Sequence, residues 1–191
     1  MYEDFSERLF THYVGGAWRA PLGTRAIPVV TLDGRVAGQV IAAEPADIAR
    51  LCKGLRGADT AALARFSARV AQAADDLAQA LAMQGACPDR TAMVQLGAGI
   101  GASDGNMRHP VCLHGSVRQA PQRFGQRLGQ GLACGLVYCP PANEALFATL
   151  LTCLAAEADM PPGAFNLLHG DPAQTLSMLA QADVPCLQDA R

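Results

Sequence analysis

Residues 154–171 read LAAEADMPPGAFNLLHGD and carry the strongest structural signal in the chain. The two prolines stop the preceding helix because proline lacks an amide hydrogen, and the glycine after them permits a tight turn. Residues 165–168 are short and apolar, as a central parallel strand requires. The loop at Gly170 then follows the carboxyl end of that strand. Open α/β sheets bind their ligands at this edge, so the loop is a candidate site.

The alternation of strand and helix extends along the second half of the chain, with loops of a few residues. Strand–helix–strand units of this kind favour a parallel sheet with right-handed crossovers, and they predict a Rossmann-like α/β fold flanked by helices. We expect Asn143 to cap the helix that follows the strand at 136–138. The predicted strands are 110–117, 136–138, 165–168 and 184–187, and the predicted helices are 119–132, 144–158 and 173–182.

The N-terminal part of the chain predicts a β-rich segment. Gly15-Gly16 and Asp33-Gly34 are turn signals between alternating apolar residues. Residues 1–43 are therefore expected to form a β-hairpin flap. Residues 44–191, which begin with a helix near Pro45, are expected to form the helices and the Rossmann-like core of the same single domain.

One long helix is predicted between a cap at Asp59 or Thr60 and an end at Gly85. Residues 89–96 predict a short helix, and the glycine-rich residues 97–106 predict an irregular loop. GAGIGA at 97–102 matches a phosphate-binding G-x-G-x-x-A motif, but that motif needs a preceding strand and a following helix, so a plain loop is the favoured interpretation. The apolar stripe of the long helix consists of Leu63, Phe66, Val70, Ala74, Leu77 and Leu81.

The composition excludes several classes of protein. The 191 residues carry a net charge of -2 and a pI of about 6.0, which does not indicate a nucleic-acid partner. No apolar run approaches the ~18 residues of a membrane span, and MYEDFSERLF lacks the apolar core of a signal peptide. Seven cysteines without a C-x-x-C pair predict thiols in a reducing compartment and no metal site. We expect a cytoplasmic protein.

Three stretches, in family order, resemble the aldehyde dehydrogenase superfamily. HYVGGAW at 12–18 resembles the opening hairpin of that family, and RHPV at 108–111 resembles its R-x-P-x-G entry into the nucleotide-binding sheet. The most specific is 154–171, where family members have a helix, PPG, a short strand with asparagine and a glycine loop. The resemblance implies a degenerate form of the family's N-terminal dinucleotide-binding half, with the catalytic domain absent.

The resemblance implies no catalytic residue in this chain. The family's nucleophilic cysteine and water-activating glutamate lie in the half that the resemblance does not cover. Its oxyanion-stabilising asparagine would fall near residues 115–121, which read GSVRQAP. Acyl transfer needs a nucleophile, an activating partner and an oxyanion site within hydrogen-bond reach, so the chain is not expected to oxidise aldehydes alone. Residues 84–107 are also shorter than in the family, where a helix and part of an oligomer-forming hairpin would lie.

The resemblance further implies a damaged cofactor site. Alignment on Pro161 places Cys139 and Ala142 where the family has the lysine and glutamate that hold the adenosine ribose. Neither side chain can form a charged hydrogen bond to a ribose. With Gly170 they mark the vestigial positions of an NAD or NADP pocket, and no cofactor is expected. Residues 186–189, CLQD, replace the family segment that closes over the cofactor.

Several side chains near this edge allow two interpretations. Cys139 is a reactive thiol or an inert one. His169 is a base that faces the pocket, or it hydrogen-bonds within its loop. Arg118, Arg123 and Arg127 form a basic stripe on one helix or a solvated face. The second interpretation is favoured in each case.

Three functions agree with the sequence. The favoured one is a non-catalytic module with a structural, assembly or regulatory role, which binds a full-length aldehyde dehydrogenase, a multifunctional enzyme or another copy through the strands around Tyr13 and Trp18. The first alternative is a residual NAD(P)- or small-ligand-binding module. The second is part of an aldehyde-oxidising enzyme that a separate catalytic chain completes. The fold alone does not choose among them.

Overall fold

A computed structural model describes residues 9–86, 88–103 and 107–187. The strands are β1 (Leu9–Phe10), β2 (His12–Val14), β3 (Ala17–Arg19), β4 (Ala26–Val30), β5 (Val36–Ile41), β6 (Val111–His114), β7 (Leu136–Cys139), β8 (Phe165–Leu167) and β9 (Cys186–Leu187). The helices are α1 (Pro45–Cys52), α2 (Thr60–Gln72), α3 (Ala74–Met83), α4 (Arg90–Gly101), α5 (Pro121–Leu132), α6 (Ala145–Glu157) and α7 (Pro172–Gln181), and Ala142–Glu144 form a 3₁₀ turn.

The main sheet has six strands in the order β3-β2-β8-β7-β6-β9. The four strands from the second half of the chain are parallel to one another, and β2 joins them antiparallel through the pair Tyr13 and Leu167. Helices pack on both faces of the sheet. The predicted Rossmann-like α/β fold is confirmed.

Asn166, in the middle of β8, fixes the hairpin β2–β3 onto this sheet. Its side-chain oxygen accepts a hydrogen bond of 3.0 Å from the amide of Gly15, in the hairpin turn. Its side-chain nitrogen donates to the carbonyl oxygens of Leu136, at 3.0 Å, and Gly163, at 2.9 Å. A buried amide that satisfies both its donor and its acceptor in this way stabilises one arrangement of the strands.

The predicted flap is divided between two sheets. Strands β2 and β3 belong to the main sheet, whereas β1, β5 and β4 form a second sheet in that order. Strands β4 and β5 are the hairpin predicted at Asp33-Gly34, where Gly34 has a φ of +81°. The inner face of the second sheet, with Val29 and Val40, packs on Ala145 at the start of α6.

The predicted long helix is two helices, α2 and α3. Its N-terminus is as expected, because Asp59 accepts a hydrogen bond of 2.7 Å from the amide of Ala62. The break is at Ala73, whose ψ of 20° lies outside the helical range. Alanine is the best helix former, so no local signal marks this break, and tertiary packing imposes it. All six residues of the predicted stripe are nevertheless buried.

The predicted glycine loop at 97–106 is wrong, because α4 runs through Gly101. The glycines serve a close contact with α5: a Cβ on Gly99 would lie 2.2 Å from the carbonyl oxygen of Gln122, and one on Gly125 would lie 2.2 Å from that of Leu96. Residues 97–101 therefore lie inside a packed helix and do not form a phosphate cradle. Residues 104–106 lie outside the described residues.

Two further local predictions need correction. Helix α6 begins after a 3₁₀ turn, and no side-chain cap is present at its start, so Asn143 does not cap it. Helix α5 begins at Pro121, so Arg118 precedes the helix and is not part of a stripe with Arg123 and Arg127. Among the described helices, none combines the length and hydropathy that a membrane crossing requires.

Candidate functional site

The candidate site lies at the carboxyl ends of β6, β7 and β8. Because these strands are parallel neighbours, the loops after them share one edge of the sheet. Cys139 ends β7, Ala142 lies in the 3₁₀ turn after it, and Gly170 follows β8. The structure thus brings the three predicted positions to the same edge.

Cys139 is turned into the protein. Its side chain is buried, and its sulfur lies 3.9 Å from the sulfur of Cys112 on β6. Its carbonyl oxygen accepts a hydrogen bond of 2.8 Å from Nδ1 of His114, which fixes the tautomer of that half-buried ring. The thiol therefore faces the sheet and not a ligand at the edge.

Ala142 and Gly170 offer no polar side chain to a ligand. Ala142 is exposed, and its carbonyl oxygen accepts a hydrogen bond of 3.4 Å from the side chain of Gln84. Gly170 is packed against the chain that precedes α1: a Cβ there would lie 2.7 Å from Oγ1 of Thr175 and 3.2 Å from the amide nitrogen of Ala43. That amide donates a hydrogen bond of 2.9 Å to the carbonyl oxygen of His169.

The residues at these positions do not fit the ribose of a dinucleotide. A ribose needs hydrogen-bonding groups for its hydroxyls, and here a buried thiol and a methyl group stand in their place. Gly170 packs closely against Thr175 and Ala43 of the same chain, so this close contact is not made for a ligand. Of residues 186–189, which replace the family's closing segment, Gln188 and Asp189 lie outside the described residues.

The loop after β6 holds a buried ion pair where the resemblance would place the oxyanion asparagine. Glu144 is fully buried and accepts hydrogen bonds from the hydroxyl of Ser116, from the amide of Val117 at 3.4 Å and from Nε of Arg118 at 3.1 Å. Burial raises the pKa of Glu144, and the hydrogen bonds from Ser116 and Val117 and the charge of Arg118 oppose that increase.

Arg118 also ties the loop to two other segments. Its guanidinium donates to the carbonyl oxygen of Asn143 at 2.8 Å and to that of Gln84 at 3.0 Å. Arg118 is therefore a structural crosslink and not part of a solvated face. The predicted site omitted Glu144, because a glutamate at the start of a helix is common and its partner lies in a separate loop.

An open cavity of about 360 Å³ lies beside this ion pair. None of the three vestigial cofactor positions lines it. Its walls consist of Ala86, Pro88, Asp89, Ala92, Arg118 and Pro121.

His169 belongs to a buried polar cluster on the other side of the edge. Its ring stacks on that of His12 with centroids 6.2 Å apart, and its backbone amide donates to Nδ1 of His12 at 3.2 Å. Nε2 of His12 lies 3.8 Å from Oδ2 of Asp47, whose Oδ1 accepts a hydrogen bond of 2.7 Å from Arg50.

Burial lowers the pKa of His12 to about 4 and that of His169 to about 3, so both rings are neutral near pH 7. The imidazole of His169 has no hydrogen-bond partner at Nε2, and its backbone groups bond to His12 and Ala43, so the hydrogen bonds of this residue lie outside its own loop, contrary to the prediction. A fully buried neutral ring of this kind is not positioned as a base for a ligand. The described residues contain no group of three or more side chains that could hold a metal ion.

The two residues of the predicted interface have different surroundings. Tyr13 is buried, and Trp18 is 41% exposed on β3, with the two rings edge to face at 5.2 Å. Trp18 is the residue of the pair that another molecule could contact. In the described part of the chain β3 pairs only with β2, so one side of this strand is an open edge.

Solved aldehyde dehydrogenases share this fold at low sequence identity. The chain matches a mutant of aldehyde dehydrogenase C from Pseudomonas syringae, solved with NAD+ and octanal, with a TM-score of 0.72 and 21% identity over 96% of this chain and 45% of that one. It matches HpcC from Thermus thermophilus with a TM-score of 0.79 and 20% identity over 95% and 43% of the two chains.

The aldehyde dehydrogenase of Brucella melitensis biovar abortus 2308 matches with a TM-score of 0.74 and 19% identity over 92% of this chain and 44% of that one. Neither a family model nor a curated protein matches the sequence. The chain spans somewhat less than half of the length of these three structures. The resemblance deduced from residues 12–18, 108–111 and 154–171 is confirmed at the level of the fold, and the chain has the fold of one part of an aldehyde dehydrogenase.

Proposed function

We propose that this chain is a non-catalytic aldehyde-dehydrogenase-like module that acts by binding another protein. The observation that carries the proposal is the environment of Cys139. At this position of the cofactor edge the side chain is buried against Cys112 and presents no charge or hydrogen-bond donor to solvent. A module that bound a dinucleotide in the manner of the family would need a charged hydrogen-bonding group here.

The loops around this position support the same proposal. The contacts of Gly170 with Thr175 and Ala43 are internal. Arg118 donates hydrogen bonds to Glu144 and to the backbone carbonyl oxygens of Gln84 and Asn143. Polar groups at this edge therefore stabilise the fold, which favours a scaffolding role over chemistry.

The edge strand β3 is the surface that we propose for contact with the partner. Trp18 is an exposed aromatic residue on a strand whose outer backbone groups are available for pairing. Aromatic anchors and open strand edges are common means of protein recognition. The proposed partner is a full-length aldehyde dehydrogenase, a multifunctional enzyme of that family or another copy of this chain.

Calorimetric titration of the folded chain with NAD and then NADP tests the first half of the proposal. We expect no binding heat for either dinucleotide. One-site binding at micromolar concentration would contradict the proposal and would show that the edge has acquired other cofactor-binding groups.

Sedimentation velocity tests the second half, first on the chain alone over a concentration series and then mixed with an aldehyde dehydrogenase from the same organism. We expect a complex that Trp18→Ala weakens at least tenfold. Val94→Ala is the control, because Val94 is similarly exposed but lies on α4. A complex that both variants form equally well would exclude β3 as the contact. Aldehyde oxidation that arises only on mixing would favour the alternative of an enzyme completed by a separate chain.

The cavity beside Arg118 supports a second candidate function, the binding of a small ligand. Its volume of about 360 Å³ falls within the range of ligand pockets, and one wall carries a guanidinium. Ala92→Leu would fill this cavity and leave both members of the ion pair in place. If a small carboxylate or phosphate compound binds to the wild-type chain, this variant should abolish the binding heat. Unchanged heat in Ala92→Leu would exclude the cavity as the binding site.

A further inference from the structure

Three cysteines from three parallel strands meet on the face of the main sheet that α7 covers. Cys112 lies on β6, Cys139 at the end of β7 and Cys186 on β9. The sulfurs of Cys112 and Cys139 are 3.9 Å apart, and Cys112 and Cys186 are register partners on neighbouring strands. Cys112 is thus the central thiol, with a second thiol on each side.

Strand register distinguishes the two pairs. Cys112 and Cys186 are direct register partners on neighbouring parallel strands. Neighbouring strands are ~4.8 Å apart, which is within the Cα separation that a disulfide spans. Cys139 lies two residues beyond Val137, the register partner of Cys112, so a displacement of about 6.6 Å along the strand is added to the spacing between the two strands. Cys112 and Cys186 are therefore the pair that can be joined without moving the central strands.

Access also distinguishes the three thiols. Cys112 and Cys139 are buried, whereas Cys186 is partly exposed on the outermost strand of the sheet. A small reagent can therefore reach Cys186 before the others. Within the described residues its strand is two residues long and lies at an edge, so a small adjustment that brings the sulfurs together disturbs few contacts there.

We propose that Cys186 and Cys112 form a thiol–disulfide exchange site for low-molecular-weight disulfides of the glutathione class. The Cys186 sulfur attacks one sulfur of the small disulfide, whose S–S bond breaks, and the proton of Cys186 leaves with the first small thiol. The Cys112 sulfur then attacks the sulfur of Cys186 and releases the second small thiol with the proton of Cys112. Two protein thiols are oxidised to one disulfide, and one small disulfide is reduced to two thiols.

The surroundings of the two thiols determine how fast thiol–disulfide exchange is expected to be. The neighbouring thiol of Cys112 and burial raise the pKa of Cys186, and the hydrogen bond with Cys139 and burial raise that of Cys112. Only the thiolate attacks, so exchange should be slow at neutral pH and should accelerate about tenfold per pH unit below the pKa of the attacking thiol. The site is therefore expected to respond to slow changes in the ratio of low-molecular-weight thiol to disulfide around the protein.

The test is equilibration of the folded chain in a series of reduced and oxidised glutathione, followed by acid quenching, alkylation and peptide mass mapping. We expect one internal disulfide, Cys112–Cys186, whose fraction rises with the proportion of oxidised glutathione. Cys186→Ser should abolish it, and Cys139→Ser should retain it. Cys153 is a half-buried cysteine on α6, outside the cluster. Cys153→Ser is therefore the control and should behave as the wild type.

Circular dichroism of each variant separates a loss of exchange from a loss of folding, and Cys112→Ala provides a second variant of the same pair. Wild-type protein that keeps both thiols free throughout the series would overturn the proposal. A glutathione adduct on Cys186 that never resolves, or an internal disulfide between other cysteines, would overturn it as well.

Discussion

The buried carboxylate of Glu144 and the partly exposed guanidinium of Arg118 form an ion pair that neither residue's local sequence predicts. A glutamate after two prolines is typical of a helix start, and an arginine in a polar loop is typical of a solvated surface. The pair arises because β6 and β7 are neighbours, so the loops after them meet at one edge. Sequence patterns predict which loops share an edge, but they do not predict which side chains pair there.

Removal of Arg118 should therefore destabilise the fold. Arg118→Met would leave the carboxylate of Glu144 buried without its cation, a change that costs on the order of 3 kcal/mol. Urea denaturation measures it. The pKa of Glu144 is already raised by burial and should rise further in the variant, so the deficit should shrink as the pH falls and the carboxyl becomes neutral. Arg108→Met, at an exposed position, is the control, and an equal loss there would contradict the assignment.

The buried histidines make stability depend on pH. The pKa of both His12 and His169 is lowered by burial, so the unfolded chain binds protons more readily than the folded one. Their contribution is complete above the unfolded pKa of 6.5 and is lost as the pH falls toward about 4 for His12 and about 3 for His169. For His12 the loss is on the order of 3 kcal/mol.

The measurement is urea denaturation at pH 7.5 and pH 4.5 for the wild type and His169→Gln. The variant should lose less stability between these two values, because glutamine does not titrate. His109→Gln replaces an exposed histidine and should retain the wild-type pH dependence. The assignment is wrong if the two variants respond to pH in the same way.

At the scale of secondary-structure elements, the contact between α4 and α5 shows where sequence patterns fail. Glycine is a poor helix former, so residues 97–101 predict a loop. In the fold Gly99 and Gly125 let the backbone of one helix approach that of the other, and the packing gained outweighs the weak helix propensity. Ala73 is the converse case, because a strong helix former lies at a break that only packing determines.

Gly99→Ala should destabilise the chain by about 2 kcal/mol, although alanine favours a helix by about 1 kcal/mol. The added methyl group would lie 2.2 Å from the carbonyl oxygen of Gln122, and the two helices must separate. Gly101→Ala is the matched control in the same helix, because its nearest neighbour is the hydroxyl of Ser67, at 3.0 Å, whose movement costs only its hydrogen bond to the carbonyl oxygen of Gly97. Thermal unfolding compares the two, and equal melting temperatures would contradict the packing argument.

At the scale of the whole molecule, the strand–helix alternation of the second half predicted the sheet, and the turn signals predicted both N-terminal hairpins. The division of residues 9–43 between two sheets was not predictable, because it depends on the pairing of Tyr13 with Leu167 across most of the chain. The edge position of Cys139 was predicted from the resemblance. Its burial was not, because it depends on Cys112 in another strand.

The hairpin that carries Trp18 should unfold together with the main sheet. Trp18 is the only tryptophan, so its fluorescence reports on β3, while far-ultraviolet circular dichroism reports on all helices and strands. Because β2 bonds to β8, the two signals should follow one urea transition with a common midpoint. An earlier fluorescence transition would show that the hairpin is an independent unit. Asn166→Ala, which removes the bond to Gly15, should separate the two midpoints.

The bond between Gly15 and Asn166 joins residues 151 positions apart. A ribosome that synthesises the chain from its N-terminus must therefore make almost all of it before the first hairpin can reach its place beside β8. Contacts between such distant residues close slowly, because a long loop loses entropy before the contact repays it. During that interval Tyr13 and Trp18 have no sheet to cover them, and the nascent chain carries exposed aromatic side chains that chaperones can bind.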